Sequence, residues 1–68
     1  MTNSRELAEA VRAACIKAAL EAYEEGGVLG LCAEGRWEYA ISALRQLDVA
    51  AVVAAWARRN TESAQDLG

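Results

Sequence analysis

The sequence predicts an all-α fold, and three observations carry that prediction. The chain is rich in alanine and contains no proline, a composition that favours helix. Its apolar residues recur at helical spacing, and no stretch alternates with period two. Its β-branched residues are scattered or fall at the same helical spacing. With 68 residues, the chain predicts a single small helical domain, 1–68, made of a helical hairpin and a third helix.

The first helix is expected over about residues 4–25. Asn3 or Ser4 can cap it, and Glu6 lies three residues after Asn3, as a capping box requires. Leu7, Val11, Ala14, Cys15, Ala18 and Ala22 form one apolar stripe, and Ile16, Leu20 and Tyr23 form a second beside it. Arg5 with Glu9, and Lys17 with Glu21, are spaced for i,i+4 pairs. Gly26 and Gly27 read as the stop. Glu24 and Glu25 then sit in the last turn, where the helix dipole disfavours negative charge. Arg36, across the loop, is the cation expected to offset them.

The second helix is expected over about residues 29–46, with a break near Gly35 as the alternative start. Trp37, Ala40, Ile41, Leu44 and Leu47 make its core stripe. Tyr39 lies on a second stripe with Val28, Cys32 and Ala43. Gly30 and Gly35 are expected to let two helices approach closely. Leu47 and Asp48 form a tight junction, and Asp48 is the expected cap of the third helix, about residues 49–60. Val49, Val52, Val53 and Trp56 share one face of that helix, expected to pack inward. Ala50, Ala54 and Ala57 lie on the other, and Arg58 and Arg59 suit its C-terminal end. The tail over 61–68 shows no periodicity and is expected to fray.

Composition excludes more than it assigns. No histidine is present and there are two cysteines, too few ligands for a structural zinc site. No phosphate-binding loop or other cofactor motif occurs, so no metal and no cofactor are expected. The net charge of −3 argues against a nucleic-acid partner, which requires a basic face. The run "VAAVVAAWA" lacks the polar side chains that a recognition helix needs, so a helix-turn-helix DNA binder is the least favoured reading. No apolar run is long enough to span a membrane, and the start "MTNSRELAEA" has no signal-peptide core. A cytoplasmic protein with free thiols is therefore expected.

The stretch "GLCAEGRWEYA" concentrates reactive residue types. Cys32 is the candidate reactive thiol, but a catalytic cysteine needs a base, most often histidine. Glu34 and Glu38 lie on one helical face that is expected to be solvated. The segment "GLCAEGRWEYAISALRQLD", preceded by "ACIKAALEAYEEGG", resembles short bacterial all-helical proteins with no established function. That resemblance covers about residues 7 to 48. It implies a bacterial, cytosolic origin and assigns no chemistry to any residue.

A three-helix monomer cannot cover all of this apolar surface, so a homodimer is expected, or association with another protein. The candidate interface residues are Val52, Ala54, Ala55 and Trp56 on the third helix, with Arg36, Tyr39 and Arg45 on the second. The function that fits is a non-enzymatic helical interaction module: an adaptor, regulator or inhibitor. The alternative is an accessory subunit or minimal enzyme working through Cys32.

Overall fold

The computed structural model describes residues 4–67, with side chains over 4–60. Three helices follow one another: α1 (Ser4–Val28), α2 (Ala33–Gln46) and α3 (Val49–Leu67). No strand occurs among the described residues. The fold is all-α, as composition and periodicity predict. The capping box at Asn3 lies outside the described residues.

α1 is the spine, because α2 and α3 each pack on it and not appreciably on each other. Its inward positions are Leu7, Ala10, Val11, Ala14, Cys15, Ala18, Ala19, Ala22 and Gly26, all at least half-buried. They follow three- and four-residue steps, as an amphipathic helix requires.

α1 does not stop at Gly26–Gly27 but runs on to Val28. The stop is Gly30, whose φ of 87° lies in the left-handed region open to glycine. The Gly30 N–H donates to Gly27 O at 3.1 Å, and the Leu31 N–H donates to Gly26 O at 2.9 Å. This paired pattern is the Schellman motif. Gly26 has a different role. A Cβ there would lie 3.3 Å from Arg36 Cγ and 3.4 Å from Arg36 Cα. Its bare backbone lets the start of α2 approach α1, the service expected of Gly30 and Gly35.

α2 therefore begins at Ala33 rather than near residue 29, after the extended residue Cys32. The Arg36 N–H donates to Cys32 O at 2.8 Å, closing the first turn. α2 buries Ala40 and half-buries Arg36, Ile41, Ala43 and Leu44, with Leu47 half-buried just past its end. Trp37, expected in the core, is 62% exposed.

Leu47 and Asp48 make the tight junction. Asp48 Oδ1 accepts from the Ala51 N–H at 3.0 Å, the N-cap bond that starts α3. α2 and α3 meet at an angle of 60°. α3 turns Val52, Ala55 and Trp56 toward the rest of the chain, leaving Val49 and Val53 exposed. The predicted inward face is thus rotated: Val53 sits at its edge, and Ala55 replaces it. The helical backbone continues past Asn60 to Leu67, because no proline or glycine interrupts "TESAQDL".

Very little of the chain is enclosed. Among the described residues the buried apolar side chains are those of Ala22 (8% exposed) and Ala40 (6%), and no large side chain is fully buried. The accessible surface is 5379 Å². A compact protein of 7.3 kDa exposes about 4200 Å². The radius of gyration is 15.6 Å, against about 11 Å for a compact chain of this length.

Candidate interaction surface

The α1–α2 hairpin has two unlike edges, and two contacts define them. On one edge, the Tyr39 hydroxyl donates to Glu25 Oε2 at 2.8 Å. That bond holds the Tyr39 hydroxyl proton, so the carboxylate pushes the phenol above its ordinary value of 10.0. A shallow groove of about 160 Å³ lies here, lined by Ala22, Glu25, Tyr39, Ser42, Ala43 and Gln46. It is smaller than the roughly 300–1,000 Å³ typical of ligand sites.

On the other edge, the Arg36 guanidinium lies 5.8 Å from the centre of the Tyr23 ring, within cation–π range. Its Nε donates to Leu31 O at 3.0 Å. The Arg36 guanidinium also packs flat against Gly27, where a Cβ would lie 3.2 Å from Cζ. Arg36 forms no ion pair with Glu24 or Glu25, contrary to expectation. Glu25 is taken by Tyr39, and Arg36 instead brings its charge to the last turn of α1, which carries no basic residue of its own. Glu9 pairs with Arg12 at 3.3 Å rather than with Arg5, and Lys17 pairs with Glu21 at 3.2 Å as its spacing predicts.

Residues two apart on a helix point about 200° apart. Tyr23 precedes Glu25 by two positions, and Trp37 precedes Tyr39 by two. Since Glu25 and Tyr39 meet on one edge, Tyr23 and Trp37 both turn to the other. Ile16 and Leu20 lie on the same side of α1 as Tyr23, at four- and three-residue steps. All four are exposed, Leu20 at 59% and Ile16 at 52%. Val28 and Leu29, also exposed, cap the hairpin tip.

The predicted interface residues are therefore redistributed. On α3, Val52, Ala55 and Trp56 are half-buried in the chain's own packing, and Ala54 alone of that set faces outward. On α2, Arg36 and Tyr39 brace the two hairpin edges, while Arg45 is exposed in the last turn. The open apolar surface is carried by Ile16, Leu20, Tyr23 and Trp37. The periodicity of α1 displays the first three as a second stripe. Trp37 was missed because its own stripe was read as core.

The thiols are apart in character. Cys32 is exposed at the N-cap of α2, where its side chain makes no capping bond; Cys15 is half-buried; both are free. Among the described residues, no group of three or more His, Cys, Asp or Glu side chains could hold a metal ion. Glu34 and Glu38 are exposed. No single described helix is long and apolar enough to cross a membrane, although α2 and Val49–Asn60 of α3 pass that test jointly as a bent pair.

No protein-family model matches the chain, and no curated protein or solved structure matches it.

Proposed function

We propose that this protein is a non-enzymatic helical interaction module that acts by self-association. The observation that carries the reading is the imbalance between apolar content and burial. The chain is 54% hydrophobic, yet among the described residues the buried apolar side chains are those of two alanines. Its surface exceeds that of a compact protein of its mass by about 1200 Å². A standard interface removes about 800 Å² from each partner. The surplus exceeds what one copy loses in a standard interface.

The test is the mass in solution. Light scattering after size exclusion, at tens of micromolar, gives twice 7.3 kDa if the proposal is right. A stable 7.3 kDa species overturns it. A second reading, an accessory subunit or minimal enzyme using Cys32, rests on that thiol's exposure beside a helix start. Alkylation at pH 6–7 far faster than a free thiol would favour it.

A further inference from the structure

We propose that two copies pair through α1 in antiparallel fashion, with Ile16, Leu20, Tyr23 and Trp37 of each copy forming the apolar centre. Lys17 of each copy then faces Glu24 of the other. The proposal deepens the self-association reading and rests on it.

Three observations select this surface and this occupant. First, the largest exposed apolar side chains outside the hairpin tip gather on one edge of the hairpin: Ile16, Leu20, Tyr23 and Trp37. The opposite edge is closed by the Tyr39–Glu25 bond and lined by polar groups. α3 exposes Val49 and Val53, smaller side chains than the four on the first edge, beside Ala50 and Ala54. Exposed apolar side chains grouped on one side of the chain mark an interface.

Second, the area is right for a second copy. A twofold interface uses the same patch twice, so each copy loses the same surface. The surplus of about 1200 Å² per chain accommodates the roughly 800 Å² that a standard interface takes from each partner.

Third, the charges flanking the stripe fix the direction. Lys17 and Glu24 are seven residues apart, two turns along one flank of the stripe. Both are exposed. In a parallel twofold pair this flank would face the opposite flank of the partner, and Lys17 and Glu24 would not meet. Antiparallel helices with a twofold axis near Leu20 set each Lys17 against the other copy's Glu24. Flanking charges of this sort decide orientation in paired helices. Among the described residues Glu24 has no ion pair, whereas the exposed Lys17 pairs with Glu21 at 3.2 Å and would exchange or share that partner with Glu24 of the second copy.

The experiment uses the full chain, light scattering for mass and circular dichroism for helix content. Leu20→Glu is expected to weaken self-association by about 100-fold, giving a 7.3 kDa species with helicity retained. Ala54→Glu, on the outer face of α3, is expected to leave the dimer intact. Lys17→Glu is expected to weaken it by about 2- to 5-fold, and Lys17→Glu with Glu24→Lys to restore it. The charge pair keeps the proposal open to refutation even if Leu20→Glu unfolds, since both residues are exposed. A dimer that survives Leu20→Glu but falls apart with Ala54→Glu overturns this surface and leaves self-association standing. A double charge reversal weaker than the single one overturns the antiparallel arrangement. A wild-type chain that is monomeric, whether free or sedimenting with phosphatidylcholine vesicles, overturns both.

Discussion

The Tyr39 hydroxyl donates a 2.8 Å hydrogen bond to Glu25 Oε2, tying the middle of α2 to the last turns of α1. The bond requires the neutral phenol, so it favours the folded chain fully below the ordinary tyrosine pKa near 10. As pH rises through the higher folded-state value, the bond and its stabilisation are lost. In a Tyr23→Phe background Tyr39 is the lone tyrosine. Its absorbance change at 295 nm is expected to centre above 10.0 and to move down in Glu25→Ala. Identical midpoints in the two proteins would refute the coupling.

Gly26, Gly27 and Gly30 are expected to respond differently to alanine. Gly30→Ala forces an L side chain to φ 87° and should cost about 1–2 kcal/mol. Gly27→Ala meets the Arg36 guanidinium, which Leu31 O and the Tyr23 ring hold, so a helix-propensity gain of about 0.5–1 kcal/mol is set against displacing it and the variant should be near neutral. At Gly26 the new methyl meets the backbone of Arg36, and the gain should be cancelled or reversed. Urea midpoints at one fixed protein concentration would rank the three. Gly30→Ala as the most stable variant would contradict the assigned stop.

Asp48→Ala removes the side-chain acceptor that caps the start of α3. A loss of about 1 kcal/mol is expected, with Asp48→Asn recovering most of it. Equal stability of all three proteins would show that the cap contributes nothing.

The thiols should separate kinetically. Cys32 is exposed and Cys15 is half-buried on the packed side of α1. A disulfide reagent should titrate one thiol at once and the second more slowly, and Cys32→Ser should abolish the fast phase. Loss of the fast phase in Cys15→Ser instead would reverse the assignment.

Sequence made the helix count, the Leu47–Asp48 junction and the Asp48 cap legible, because caps and turns are local. It placed Ala40, Ile41, Leu44 and Leu47 on the packed side of α2, where they are buried or half-buried, but it did not reveal that Trp37 lies outside. Trp37 and Ala43 are both apolar, so hydropathy alone cannot choose between them. Close approach chose: small residues, Ala22 and Gly26 against Ala40 and the Arg36 stem, allow the two backbones to come near. The larger Trp37 was left outside. The glycines posed a similar ambiguity. Gly26, Gly27 and Gly30 all sit where a helix could end, and only the backbone shows which adopts positive φ. The second stripe of α1 was readable from the start, because three residues at regular steps need no tertiary information. Its use as a docking surface follows from what the chain fails to cover.

The narrowest dimension of the Cα trace is 14 Å, in a body 52 Å long. Two helix axes packed 8–10 Å apart, each with a Cα radius near 2.3 Å, already fill that width. That width leaves no room for a third layer. In such a slab the slowest-exchanging backbone hydrogens are expected in the middle of α1. Their protection should grow with protein concentration if a second slab closes over them. The clock of hydrogen exchange would then report on assembly and folding as one event.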